Sequence, residues 1–384
     1  MSDEPIVVAM VAGEASGDFL GAHLIEALRK RFPRLQFVGI GGPRMEGAGL
    51  DAWFPMERLA VRGYVEVLRH LPALIAMRRK LTRRLLALRP SIFVGIDSPD
   101  FNLSLERRLK RAGIPAVHYV SPSLWAWRGG RLRSIAASVN KMLVLFPFEE
   151  ALYRDAGVPV TYVGHPLAQL APEGDTTEAA REQLRLPADR KIIALLPGSQ
   201  QSEVRRMALT FVQTAKLIAG RQPSVHFLVP LVSRETRAIF EQAIYAARAG
   251  ELPLSILFGH ARDAIAASDA VLVASGTATL EVALYRKPMV ITYKLAELTY
   301  RVIRRMVYLP WVGLPNIIAG EFLVPEILQH DATPENLAQA LLNSVNDPAV
   351  ARRLPPRLDA IRRLLCQDTA ARASEALMPW LQPG

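Results

Sequence analysis

The sequence predicts an α/β protein built from two doubly wound halves, and three observations carry that reading. Short β-rich runs alternate with helical stretches along most of the chain. The alternation stops in a stretch containing Pro, Gly, Asp and Thr, from Pro166 to Thr177, and then restarts. Gly- and Ser-containing turns stand directly after the strands, where open parallel sheets bind their ligands.

The elements follow in order. Ile6 to Ala12 reads as a buried strand, Gly13 to Asp18 as a turn, and Phe19 to Arg31 as a helix, with Leu20, Leu24 and Leu28 on one face. Phe37 to Ile40, Ile92 to Ile96, Ala116 to Val120 and Met142 to Leu145 complete the first set of strands. After the connection come Ile192 to Leu196, Val225 to Pro230, Ser255 to Phe258, Ala270 to Ala274 and Pro288 to Tyr293. From Pro334 the chain is helical, with a break expected at Leu354-Pro355-Pro356 and a last helix from Leu358 to Leu377. That helix either crosses back to the first domain or packs on a partner chain, as in a homodimer. The expected domains are residues 1–168 and 169–354, with 355–384 as the returning or swapped helix.

Composition bounds the function. The 384 residues exceed one ordinary core, and 50% hydrophobic with 22% charged residues is a globular balance. The lone Cys366 excludes an intrachain disulfide and a cysteine zinc cluster. No apolar run is long enough to span a bilayer, and Asp3 and Glu4 near the start do not suit a secretory signal, so a cytoplasmic location is expected. The net charge of +11 suits nucleic acid, anionic membrane or phosphorylated substrate. Nucleic acid ranks last, because no zinc-finger, RNP or basic-zipper pattern is present.

Several post-strand turns carry candidate chemistry. In Ala274-Ser275-Gly276-Thr277-Ala278-Thr279-Leu280-Glu281 a strand ends and a helix opens, so free amides and the helix dipole make an anion site. Glu281, about one turn on, is spaced to accept hydrogen bonds from ribose hydroxyls. Pro197-Gly198-Ser199 is a second such turn, followed by Arg205 and Arg206, and suits a diphosphate. Gly13-Glu14-Ala15-Ser16-Gly17-Asp18 lacks the G-x-G-x-x-G spacing, and no acidic residue ends the second strand, which argues against a dehydrogenase. Ser16 or Asp18 there also suits a helix cap. In Asp97-Ser98-Pro99-Asp100 two carboxylates flank a rigid turn. Either is a candidate base toward a sugar hydroxyl, and Asp100 also suits a helix cap. Ser121, Trp125, Trp127 and Arg128 lie in an aromatic loop after a strand, suited to a sugar, an acyl chain or a phosphate. Finally, Leu74, Met77, Leu81, Leu85 and Leu88 share a helical face beside Arg79, Lys80, Arg83 and Arg84, with Tyr64, Val65 and Leu68 upstream. The stripe itself suits packing on a sheet, while the basic face suits an anionic membrane.

Taken together and in order, these turns resemble the lipid-A-disaccharide synthase family. The resemblance also takes in Gly41-Gly42-Pro43-Arg44-Met45, Val163-Gly164-His165-Pro166 and Leu314-Pro315-Asn316, and it covers nearly the whole chain. It implies the GT-B fold, two Rossmann-like domains facing a cleft. It implies a UDP-diacylglucosamine donor and a diacylglucosamine 1-phosphate acceptor, giving a β-1,6-linked disaccharide 1-phosphate and UDP, with no metal and no other cofactor. Inversion calls for a base at the acceptor 6-hydroxyl, and the family motif supplying it matches Asp97. The donor side would use Ser199, Arg205, Ser275, Gly276, Thr277, Glu281 and Asn316. The acceptor side would use Glu14, Ser16, Asp18, Ser121, Trp125, Trp127 and Arg128. Peripheral attachment to the cytoplasmic face of the inner membrane would use Tyr64, Val65, Leu68, Arg79 and Arg83. The family pattern has arginine where Gln200 stands. Either Arg205 or Arg206 replaces its charge at the diphosphate, or activity is reduced. Another GT-B enzyme, such as a UDP-sugar epimerase, would share the Ser-Gly-Thr…Glu signature. A non-catalytic lipid- or nucleic-acid-binding protein would show steep salt dependence and no UDP binding.

Overall fold

The structure, a computed structural model, describes residues 6–59, 64–122, 132–187, 189–297, 300–301 and 310–381, with backbone alone for 64–70. The chain forms two compact units, Met1–Gln169 with Leu365–Gly384, and Leu170–Leu364.

The first unit contains β1 (Val7–Ala12), α1 (Ala15–Arg31), β2 (Gln36–Gly41), α2 (Pro43–Ala48), β3 (Leu50–Pro55), α3 (Tyr64–Leu88) and β4 (Ile92–Ile96). Then come α4 (Pro99–Arg111), β5 (Ala116–Tyr119), α5 (Leu132–Ala136), β6 (Lys141–Val144), α6 (Phe148–Asp155) and β7 (Val160–Tyr162), and α7 (Pro166–Leu170) leads out. Among the described residues the sheet runs β3-β2-β1-β4-β5-β6-β7, every pair parallel. A parallel sheet is covered on both faces, so its central strands are apolar throughout rather than alternating. Val8 to Ala12 and Ile92 to Ile96 are buried accordingly. On α1, Leu20, Leu24 and Leu28 turn inward as their spacing requires, each worth about 1.5–3 kcal/mol on full burial.

The second unit repeats the scheme. It holds α8 (Thr177–Gln183), β8 (Lys191–Leu196), α9 (Gln201–Arg221), β9 (Val225–Leu231), α10 (Arg234–Ala246), β10 (Leu254–Phe258), α11 (Ala261–Ala267) and β11 (Ala270–Ala274). It continues with α12 (Thr277–Leu284), β12 (Met289–Tyr293), α13 (Leu314–Ala319), β13 (Glu326–Leu328) and α14 (Pro334–Asn346). Its strand order is β10-β9-β8-β11-β12-β13, again all parallel. In both sheets the order reverses once, between β1 and β4 and between β8 and β11. In open α/β sheets, the strand ends at such a reversal are where ligands bind.

The structure corrects several expectations. β3, β7 and β13 are not among the expected strands: β7 and β13 are three-residue edge strands, and β3 is an edge strand whose apolar run is only Ala52 to Phe54, after Asp51. α1 begins at Ala15, so Ser16 and Asp18 sit in its first turn rather than in a preceding loop. The proline pair breaks nothing: α15 (Pro348–Leu365) runs through Pro355 and Pro356. Proline's φ is compatible with a helix, and the buried stripe Leu354, Leu358, Ile361 and Leu365 holds the helix together across the lost hydrogen bonds. The break falls instead at Cys366–Asp368, where the Asp368 carboxylate caps α16 (Thr369–Leu377) by accepting from the Ala371 N–H. The chain thus re-enters the first unit at Leu365, where the His165 N–H donates to the Leu365 carbonyl at 2.9 Å. Ala373, Ala376 and Leu377 of α16 then join the core that holds α1. Among the described residues no helix is long and apolar enough to cross a membrane.

Candidate active site

Non-glycine residues with positive φ include a set at the carboxyl ends of strands: Asp97 (52°) and Ser98 (44°) after β4, Val120 (80°) after β5 and His260 (55°) after β10. Such conformations cost about 1–3 kcal/mol each and persist where surrounding structure imposes them. Two of the four form the turn at the reversal point of the first sheet.

That turn is closely built. The Asp97 N–H donates to the Tyr119 carbonyl at 2.8 Å, and Asn102 Nδ2 donates to the Asp97 carbonyl at 2.8 Å. Ser98 is the N-cap of α4, and Asp100 lies in that helix's first turn. The β1 loop lies against it: a Cβ on Gly13 would come 2.3 Å from Ser98 Oγ and would have to push that hydroxyl aside. Among the described residues the Asp97 carboxylate has no hydrogen-bond or ion-pair partner, and the side chain is half-buried. Glu14 is half-buried and Ser16 exposed on the same edge. Ser121 Oγ is 2.8 Å from Tyr153 Oη and anchors the start of the aromatic loop. Burial keeps the Tyr153 hydroxyl protonated, far above its ordinary range, against the lowering effect of Ser121.

Asp18 is different. Its carboxylate accepts from the N–H groups of Gly42 at 2.8 Å, Arg44 at 3.1 Å and Met45 at 3.0 Å, and the residue is 3% exposed. It caps α2, so the acceptor-side role expected for it gives way to a structural one. Trp125, Trp127 and Arg128 lie outside the described residues, as do the side chains of Tyr64, Val65 and Leu68. Arg79 and Arg83 are exposed on α3. Beside them Arg84 stacks 3.7 Å from the Trp53 ring centre, and Lys80 lies 5.8 Å from that of Phe54.

The reversal point of the second sheet has two glycine turns with different fates. At the β8 end, the Glu203 carboxylate accepts from the N–H groups of both Ser199 and Gln200 at 3.1 Å. Gln200 is the N-cap of α9, and Glu203 closes a capping box on it. These amides are taken by protein, which corrects the expectation that the Ser199 turn offers spare donors. Glu203 was missed although its spacing from the N-cap is a sequence-level signal. Arg205 is exposed, and Arg206 Nη1 donates to the Lys294 carbonyl at 3.2 Å.

At the β11 end the amides stay open. Among the described residues no acceptor meets the N–H groups of Gly276, Thr277 and Ala278, at the start of α12. Gly276 has φ 157° and ψ −165°, a conformation that side chains avoid, and beyond its chain neighbours a Cβ there would meet none of the described residues within 4 Å. The Ser275 N–H donates to the Thr292 carbonyl at 2.9 Å, and its hydroxyl donates to the Val312 carbonyl at 3.3 Å, fixing the turn. One turn into α12, Glu281 is half-buried and has no hydrogen-bond partner among the described residues. Burial lifts its carboxyl above the ordinary range against the pull of Arg262. An open amide nest followed by a lone carboxylate suits a phosphate beside a vicinal diol.

Asn316 is fully engaged. Its Nδ2 donates to the Val324 carbonyl and to Glu326 Oε1, and its Oδ1 accepts from the Leu323 and Val324 N–H groups, all at 2.8–2.9 Å. A side-chain amide has two donor hydrogens and two acceptor lone pairs, so nothing remains for a nucleotide. Glu326, which also accepts from the Val312 and Gly313 N–H groups, completes the scaffold. Sequence reasoning had no handle on it, since its partners are 10–14 residues away.

Comparison with known proteins agrees with this geometry. A family model described as lipid-A-disaccharide synthetase matches residues 8–372. A lipid-A-disaccharide synthase of Aromatoleum aromaticum is 57% identical over 97% of this chain and 96% of its own. One of Methylobacillus flagellatus is 54% identical over 98% of this chain and 99% of its own. Among solved structures, a UDP-GlcNAc 2-epimerase from Neisseria meningitidis bound to UDP-GlcNAc aligns with 97% of this chain and 98% of its own, at a TM-score of 0.62 and 11% identity. That likeness is one of fold, and the fold is GT-B. With the family model spanning both sheets and relatives above half identity over 96–99% of their length, the chain belongs to the lipid-A-disaccharide synthetase family, a family of glycosyltransferases.

Proposed function

We propose that the protein is an inverting glycosyltransferase. It joins UDP-2,3-diacylglucosamine to 2,3-diacylglucosamine 1-phosphate and forms the β-1,6-linked disaccharide 1-phosphate and UDP. The observation that carries the reading is the division of labour between the two reversal points. One presents a carboxylate, Asp97, without a partner among the described residues, on a turn with two positive-φ residues, and the other presents amides that no described acceptor meets, with Glu281 one turn on. In this reading Asp97 takes the proton of the acceptor 6-hydroxyl as that oxygen attacks the anomeric carbon. The bond to UDP breaks on the opposite face, which converts an α-linked donor to a β-linked product. The Gly276–Ala278 amides receive the charge that develops on the leaving diphosphate, and the helix dipole of α12 adds to them. Glu281 accepts from the ribose hydroxyls.

Both substrates carry acyl chains, so the enzyme meets them at a lipid surface. We place that contact on α3, where Arg79 and Arg83 are exposed beside Lys80 and Arg84, at the cytoplasmic face of the inner membrane. Product analysis tests the reaction. UDP and a β-1,6 disaccharide should appear together and only with acceptor present. Epimerised UDP-sugar without acceptor would replace this reading with the epimerase one.

A further inference from the structure

Beneath the Asp97 turn lies a buried polar group that the proposed mechanism does not use. On α4, Asn102 and Glu106 face the sheet one turn apart, and both are 0% exposed. Glu106 Oε1 and His118 Nδ1, on β5, share a 2.7 Å hydrogen bond, and His118 is also 0% exposed. Both α4 residues close on Gly95 of β4. A Cβ at Gly95 would lie 2.1 Å from Glu106 Oε1 and 3.0 Å from Asn102 Cβ, so the strand is glycine here to admit them. Asn102 Nδ2 faces three carbonyl oxygens, those of Asp97 at 2.8 Å and of Val11 and Ile96 at 3.4 Å. It therefore reaches the ends of both strands that flank the reversal point.

Three atoms of this group, Asn102 Oδ1, Glu106 Oε2 and His118 Nε2, are buried with no hydrogen-bond partner among the described residues. Burying polar atoms without partners is costly, and a leucine and a phenylalanine would fill such space more cheaply. Where a core keeps such a group, the arrangement it imposes is the thing to explain. What it imposes here is two consecutive left-handed non-glycine residues, one of them the candidate base. Burial raises the Glu106 carboxyl against the opposing effect of His118, which suits a fixed hydrogen-bonding post rather than a mobile charge.

We propose that Asn102, braced by the buried Glu106–His118 pair, is the positioning residue for the reaction. It ties the Asp97 carbonyl back to the strand ends, and the tie turns the Asp97 carboxylate away from protein partners. The proposal rests on the reading of Asp97 as the base.

The test uses the full chain and both lipid substrates, with UDP affinity and melting temperature measured for each variant. Misplacing a reacting group by about 1 Å costs on the order of 10²-fold. Asn102→Ala should lower kcat by about that factor and leave UDP affinity unchanged. The double variant Asp97→Asn/Asn102→Ala should be no slower than Asp97→Asn alone, since a displaced base that is already absent costs nothing. Glu106→Ala should also lose turnover, and Glu106→Gln should restore most of it. A folded Asn102→Ala within twofold of wild-type kcat would overturn the proposal, and so would fully additive losses in the double variant. Should Asn102→Ala not fold, Asn102→Ser, with a hydroxyl too short for the Asp97 carbonyl, takes its place. Failure of both to fold would make Asn102 a fold residue only and overturn the proposal. Asp97→Asn at wild-type turnover would sink the base reading itself. A slow Asp97→Asn beside a fast Asn102→Ala would sink the positioning alone.

Discussion

Glu203 Oε2 lies 3.1 Å from the backbone nitrogens of both Ser199 and Gln200. The two glycine turns of the second sheet are thereby unequal: one has its amides answered by its own helix, and the other, at Gly276, meets no acceptor among the described residues. A diphosphate should therefore use the Gly276 turn. In Gly276→Ala the free turn relaxes out of a conformation that costs a side chain about 1–3 kcal/mol, and binding must restore it, so UDP should bind about 5- to 150-fold more weakly. Glu203→Ala should leave UDP affinity within about threefold, because the anion does not depend on that turn. Calorimetric titration checks both, and a large loss in Glu203→Ala alone would reverse the assignment.

The Glu281 carboxyl gives a pH signature. Its proton affinity is raised by burial, and ribose hydroxyls hydrogen-bond best to the charged form. Binding is then complete where Glu281 is ionised and weakens as pH falls through its raised pKa. Uridine is the suitable probe, since it has no phosphate to titrate. Wild-type affinity for uridine should fall on going from pH 7 to pH 4, and Glu281→Gln should be weak and flat throughout. A flat wild-type profile would remove Glu281 from the ribose.

Asn316 makes a stability prediction in place of a binding one. Asn316→Ala strips partners from Glu326, Leu323 and Val324 inside the second unit. Each buried group left unsatisfied costs about 1–3 kcal/mol, so the variant should lose several kcal/mol in urea unfolding. Unchanged stability with UDP binding abolished would return Asn316 to the nucleotide.

The parallel core was legible because both-sided burial writes continuous apolar runs such as Val7–Ala12 and Ala270–Ala274. The reversal-point turns were legible for the same reason, as interruptions of those runs by glycine and serine. What escaped was decided by partners distant in sequence. Asp18 reads as an acceptor-side residue or a cap of its own helix until α2 arrives to be capped, and Asn316 reads as a ligand until Glu326 and Val324 saturate it. The Glu106–His118 pair lies on two different elements, so no local pattern contains it. Pro355 and Pro356 misled because a local helix-breaking tendency was outweighed by the buried stripe through Leu358 and Ile361.

Membrane contact on α3 is tested by flotation with anionic vesicles that contain neither substrate. A basic side chain beside an anionic leaflet contributes about 1 kcal/mol, and salt screens it. Wild-type protein should float at low salt and sink at high salt, apart from a fraction held by apolar side chains. The variant Val65→Ser/Leu68→Ser/Arg79→Ser/Arg83→Ser should stay at the bottom. Equal flotation of variant and wild type would move the contact off α3.

The central claim is that acid–base chemistry and nucleotide binding reside at separate reversal points, with Asp97 serving the first alone. Turnover of Asp97→Asn with both lipid substrates, measured beside its calorimetric UDP affinity, tests this most directly. The account predicts a turnover loss of about 10²–10⁴-fold, the usual worth of a general base, with UDP affinity unchanged. Turnover within a few-fold of wild type, or a loss that follows weakened UDP binding, would contradict it.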